Sequence, residues 1–173
     1  MIEVTSLPSN WEQAVKGHKL NLITVPKFQD LNWLPPEVRT TDRLTGLPIL
    51  NNETRNILVN DFSNAIKNNS RWVCLYADAD QLKTANTKHG RGFGDVYIKW
   101  ESALITQTIN DLHFSEEMII RVIRPTYAAD EIIIWLFNLQ EKDFEKTHKL
   151  QELISQQQRI DELDFTFSLS LDY

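Results

Sequence analysis

Between Trp72 and Asp95 the chain sets an apolar run rich in β-formers, Trp72 to Ala77, directly before two acids, Asp78 and Asp80. A buried strand that delivers carboxylates at its carboxyl end is a recurrent way to build a metal or phosphate site. Lys83, Asn86 and Asp95 follow on a polar segment punctuated by glycines. Acids, a cation and an amide grouped this way suit a magnesium nucleotide, because magnesium takes one or two carboxylates and leaves its other positions to phosphates and water. Asp130 and Glu131 stand at the start of a later β-branched run. If the two runs are neighbouring strands, Asp78 and Asp130 can approach one another, and acids so placed repel unless a cation lies between them. The competing account is two solvated acids at strand ends.

The elements that must position these groups can be read from periodicity. Asn51 or Asn52 can cap a helix in which Leu58, Phe62, Ala65 and Ile66 recur at helical spacing, ending near Asn69. The strand at Trp72 follows at once. A second helix should start near Phe93, since Phe93, Val96, Tyr97, Trp100, Ala103 and Leu104 share a face, and fade by Asp111. Met118 to Arg124 and Glu131 to Phe137 are β-branched runs separated by a turn without Gly or Asn, a hairpin pattern. A third helix fits Glu141 to Gln158, and a closing strand, Phe165 to Leu171, alternates apolar residues with Thr166, Ser168 and Ser170. This order predicts an α+β fold, an antiparallel central sheet with helices packed on one face, the palm-like arrangement of nucleotide cyclases and ferredoxin-like proteins.

Three segments carry a family resemblance. Asp42, Leu44, Thr45, Gly46, Leu47 and Pro48 form the first; Asp78, Asp80, Lys83, Asn86, Gly90, Gly94 and Asp95 the second; Tyr127 to Ile132 the third. Together they resemble the GGDEF domains of diguanylate cyclases, which join two GTP into cyclic di-GMP, over residues 41–173, with residues 1–40 as an N-terminal extension. In the third segment the family's two glycines are Ala128 and Ala129, and its final Phe is Ile132. Alanine at a positive-φ position costs on the order of 1–2 kcal/mol, so the resemblance implies an altered turn. The family places an Arg immediately before the residue that Tyr127 matches, where this chain has Thr126. Its inhibitory product site needs an Arg and an Asp where Ile119 and Val122 stand, and it normally adds a last helix beyond the strand that resembles Thr166 to Ser168.

The resemblance implies roles residue by residue. Asp78 and Asp130, with the backbone carbonyl of Ala79, would hold Mg2+, and Glu131 would assist the metal or polarise the attacking 3′-hydroxyl. Asn86 and Asp95 would read guanine: their oxygens accept from its ring and exocyclic N–H, whereas adenine offers an acceptor there. An unsatisfied buried acceptor costs about 1–3 kcal/mol, which favours GTP over ATP. Asn86 also has an account as a helix cap, and Lys83 stands either near the phosphates or as an exposed lysine. His89 and Arg91 fall at the family's aromatic and histidine positions and receive no role.

Composition bounds the alternatives. At 173 residues, 42% hydrophobic and 24% charged, the chain suits one globular domain. A formal charge of −6 argues against a nucleic-acid polymer as main partner, while Lys83, Lys88 and Arg91 suffice for one nucleotide. Cys74 is the only cysteine and falls in a strand expected to be buried, which makes it a core residue. No apolar run approaches the roughly 18 residues of a membrane span, so a cytoplasmic location without membrane is expected. Residues 1–40 hold one strand-like run, Leu20 to Val25, among the aromatics Trp11, Phe28 and Trp33. Three functions follow: a degenerate, catalytically impaired GGDEF-like domain that binds GTP with magnesium or docks in cyclic di-GMP signalling; an active diguanylate cyclase, which would work as a homodimer; or a structural module that grips a signalling partner without nucleotide.

Overall fold

The computed structural model of the protein describes residues 41–79, 82–127 and 130–155, and the backbone of 158–160, 163–165 and 167–172. Residues 1–40, Asp80, the Ala128 and Ala129 doublet and Thr166 lie outside the described residues, as do the side chains of Ala85 and His89. The order is α1 (Asn52–Lys67), β1 (Trp72–Ala79), α2 (Leu82–His89), α3 (Arg91–Leu112), β2 (Ile119–Ile123), β3 (Glu131–Phe137), α4 (Glu141–Ser155), β4 (Gln158–Ile160), β5 (Leu163–Phe165) and β6 (Phe167–Asp172). An antiparallel sheet runs β2, β3, β1, β6, and β4 pairs with β5 in a separate hairpin. This is the expected α+β arrangement.

Alternation along the central strands divides the core in two. Val73, Leu75, Ala77 and Ala79 of β1 and Ile132, Ile134 and Leu136 of β3 face α3 and α4, where they meet Phe93, Tyr97, Ile105, Leu150 and Ile154. Each fully buried aliphatic side chain contributes about 1.5–3 kcal/mol, so this layer dominates stability. Trp72, Trp135, Phe137, Ile119 and Ile123 point the other way, onto Leu58, Phe62 and Ala65 of α1. Helices thus pack on both faces, not on one as the order of elements suggested. Phe62 is the centre of this second layer, with its ring edge-on to Trp72 at 5.2 Å, Trp135 at 4.8 Å and Phe137 at 5.0 Å. Cys74 belongs to this second face and is half-buried, so it is not the core residue expected.

Local chemistry sets the helix ends. The Asn51 side chain accepts from the Thr54 N–H at 2.9 Å, and the Thr54 hydroxyl oxygen accepts from the Asn51 N–H at 2.7 Å, a reciprocal cap that starts α1. Asp61 on α1 receives Arg121 of β2 through Nε at 2.8 Å, tying the helix to the edge of the sheet. Asp143 in the first turn of α4 accepts from the Gln140 N–H and from both the N–H and the hydroxyl of Ser115. Burial pushes the Asp143 carboxyl upward, and these bonds together with Lys146 more than offset it, leaving it below the usual range.

Several boundaries differ from expectation. β1 runs two residues past Ala77 and so carries Asp78 inside the strand. α3 starts at Arg91, ahead of the expected Phe93. α2 occupies a polar stretch to which no helix was assigned; its eight residues are too few and too polar to show an apolar stripe. α4 ends at Ser155, short of Gln158, and the β4–β5 hairpin precedes a closing strand that begins at Phe167 instead of Phe165.

Candidate nucleotide and metal site

Strand register places Asp78 directly opposite Glu131, and Tyr76 opposite Ile133. Opposed residues of an antiparallel pair share a face with Cβ atoms about 4.5–5.5 Å apart, so the two carboxylates are neighbours fixed by the ladder. On its other side Asp78 is in register with Ser168 of β6. Burial, then Glu131, then the charges of Asp78 and Asp130 push the Tyr76 phenol up to about 12. Ala79, whose carbonyl was expected on a metal, ends β1 within the core. Among the described residues no group of three or more His, Cys, Asp or Glu side chains is arranged to hold a metal unaided. Magnesium carried by a nucleotide needs only one or two carboxylates, and the Asp78 and Glu131 pair fits that requirement.

Beside the acids lies an open cleft of about 420 Å³ lined by Leu82, Lys83, Asn86, Thr87, Arg91 and Asp130. It forms because α2 and α3 fold back on one another at Gly90, whose φ of 88° lies in the region open to glycine. Neither Lys83 nor Arg91 forms an ion pair among the described residues, so both charges are available to an anion. The Asn86 Oδ1 accepts from the Gly94 N–H at 3.1 Å. A Cβ at position 94 would lie 2.2 Å from that oxygen, so the close approach requires glycine. Asn86 lies inside α2 and ties it to the first turn of α3, whose N-cap is Gly90 and not Asn86 as one reading expected, while it also lines the cleft. A carboxamide oxygen has two lone pairs, and one bond leaves the other for a ligand.

Asp95 is not among the residues lining the cleft. It is half-buried: burial pushes its carboxyl upward, with Arg124 opposing and Asp42 adding to the rise. Arg124 is 1% exposed and donates through Nη1 to Asp42 at 2.5 Å. Asp42 also accepts from the Thr45 N–H at 2.8 Å and hydroxyl at 2.7 Å. Burial alone would raise the Asp42 carboxyl, but Thr45 and Arg124 reverse that and hold it below the usual range. The Arg124 N–H donates to Pro48 and its carbonyl accepts from Leu50, so the first motif is stitched to the base of the hairpin.

The structure thus brings Lys83, Asn86 and Asp130 around one cleft, sets Asp78 and Glu131 opposite one another in the ladder, and leaves Asp95 off the cleft lining. Sequence reasoning missed Tyr76, Thr87 and Arg124. Arg124 read as the last residue of a strand; an arginine two positions before Thr126, where the resemblance calls for one, was the available signal. Tyr76 gave none, since a tyrosine in a β-run is ordinary.

No protein-family model matches the sequence, and no curated protein matches it. Solved structures do. A sensory box/GGDEF family protein from Caulobacter crescentus is 18% identical over 76% of this chain and 81% of its own, with a TM-score of 0.54. The diguanylate cyclase SiaD of Pseudomonas aeruginosa, solved with its activator SiaC, is 17% identical over 94% of this chain and 55% of its own, with a TM-score of 0.56. The coiled coil and GGDEF domain of DgcB from Caulobacter crescentus, in complex with c-di-GMP, is 15% identical over 94% and 82%, with a TM-score of 0.52. No helix among the described residues is long and apolar enough to cross a membrane. The described residues, with their palm-like sheet and the helices packed on it, have the fold of a GGDEF domain.

Proposed function

We propose that this chain is a degenerate GGDEF domain that binds GTP with magnesium, is impaired in cyclisation, and acts in the cytoplasm as a regulatory or docking module in cyclic di-GMP signalling. The observation that carries the reading is the cleft between α2 and α3, where two cations with no ion pair among the described residues and an amide meet Asp130 beside the opposed Asp78 and Glu131. Lys83 and Arg91 supply charge for the phosphates, Asn86 supplies an acceptor toward guanine, and Asp78 with Glu131 or Asp130 supplies carboxylates for the cation. The cation, when bound, neutralises phosphate charge; the residues hold and orient the nucleotide. Isothermal titration with GTP and magnesium tests this, and the expected result is a 1:1 isotherm that GTP gives and ATP does not. Absence of heat at millimolar ligand overturns it.

One observation favours a working cyclase: Glu131 lies in the ladder opposite Asp78, so this acid pair does not depend on the altered turn for its position. In that reading two GTP-loaded copies meet, and each 3′-hydroxyl attacks the α-phosphate held by the other, breaking its α–β anhydride bond and releasing pyrophosphate. Chromatography after incubation with GTP decides between the two. A cyclic dinucleotide that disappears in Glu131→Gln establishes the enzyme; unchanged GTP leaves the binding module.

A further inference from the structure

α2 presents two of its turns to the cleft, with Leu82 and Lys83 on the first and Asn86 and Thr87 on the second. Residues four apart on a helix lie about 6 Å apart along its axis, so the two pairs stand one above the other. The first turn follows closely on the end of β1, where Asp78 stands opposite Glu131. A cation held by those acids brings the phosphates to the Lys83 turn and leaves the base to the Asn86 turn. Two bonds fix what that second turn offers. The Asn86 Oδ1 accepts from the Gly94 N–H at 3.1 Å, which sets the plane of the carboxamide and leaves one lone pair on its oxygen. The Thr87 hydroxyl donates to the Lys83 carbonyl at 2.8 Å. Such a bond to the preceding turn is ordinary for a helical threonine, but it spends the only hydrogen of the hydroxyl. Toward a ligand Thr87 therefore offers lone pairs and no donor.

Guanine carries O6, N1–H and its 2-amino group in a row. A carboxamide can donate to O6 and accept from N1–H, and the 2-amino group then points past it to the next side chain. Asp95 does not line the cleft, whereas Thr87, adjacent to Asn86, does. We propose that Thr87 is a specificity-determining residue of the cleft, its hydroxyl oxygen accepting from the 2-amino group of guanine. Adenine in the same seat sets an amino donor and a ring acceptor where guanine has O6 and N1–H, and it has no 2-amino group for Thr87. This rests on the nucleotide-binding reading above and names the atoms that select the base.

Titration calorimetry of the full chain with magnesium compares GTP with inosine triphosphate, which differs only in lacking the 2-amino group. Wild type is expected to bind GTP about three- to tenfold more tightly, the worth of one ordinary hydrogen bond. Thr87→Val keeps the branched shape and removes the acceptor. It is expected to lower the affinity for GTP to that for inosine triphosphate and to leave the latter unchanged. Thr87→Ser, which retains the hydroxyl, is expected to keep the preference. Thr87 is exposed, and unfolding curves that superimpose for wild type and Thr87→Val show that the fold is retained. Should Thr87→Val prove unfolded, Thr87→Ala takes its place with the same expectation. Equal affinity of wild type for the two nucleotides overturns the inference and leaves nucleotide binding standing. So does a Thr87→Val chain that loses both nucleotides alike or still prefers GTP. A wild type that binds neither nucleotide overturns both readings.

Discussion

Gly94 and Asn86 occupy a space that admits a side chain from only one of them. A methyl at position 94 would stand 2.2 to 2.8 Å from the carboxamide atoms of Asn86. The amide is the end of a short side chain and can swing away, losing its bond to the Gly94 N–H. Replacing a helical glycine by alanine gains about 0.5–1 kcal/mol, and losing one hydrogen bond costs about as much. Gly94→Ala is therefore expected to leave the unfolding midpoint near wild type while weakening GTP binding at least tenfold, read by thermal unfolding and titration calorimetry together. Arg124→Met removes one partner of a buried pair and is expected to cost about 3–5 kcal/mol in urea unfolding, because Asp42 stays buried without its cation. Of these residues, Asn86 and Gly94 were legible from motif spacing. Arg124 was not, since its contacts lie 82 residues away in sequence at Asp42.

At the scale of the element, what the sequence made legible follows the strength of its periodicity. α1 was found with its cap, because Asn51 and an apolar stripe agree; Asn51→Ala is expected to cost about 1 kcal/mol in chemical denaturation, the usual penalty for losing an N-cap. β1, β2 and β3 were found as β-branched runs. α2 was missed because its amphipathic signal is weak, and it holds its place by packing on α3 and by the bond from Asn86 to Gly94. That α1 crosses to the second face was also hidden. A helical stripe says that a helix is buried against something, and not against which side of a sheet.

For the molecule as a whole, the acids divide by sign. Asp42 and Asp143 have folded values below the ordinary 3.8, so they contribute stability that is present above that value and lost as pH falls through their folded values. Asp95 is raised above 3.8 by burial, so its contribution runs the other way: folding is favoured once it is protonated and is disfavoured as pH rises through its folded value. Urea unfolding of Asp95→Asn is expected to show greater stability than wild type near neutral pH, with the advantage shrinking as pH is lowered into the acid range. Asp42→Asn is expected to be less stable than wild type at neutral pH, with that deficit closing as the acid is titrated. The order of elements and the three motifs were enough to reach the fold. Burial, which sets these signs, depends on contacts that no local pattern records.

The pairing of Glu131 with Asp78 also bears on how far the hairpin can drift. Because β3 is locked by Ile132, Ile134 and Leu136 on one face and by hydrogen-bonded neighbours on both sides, the address of that carboxylate is written in the strand. A slip of one residue would turn Glu131 toward the apolar layer and push the isoleucines outward, so the ladder resists it. The seat of the charged pair is thus fixed from Glu131 onward, whatever sequence leads into the strand.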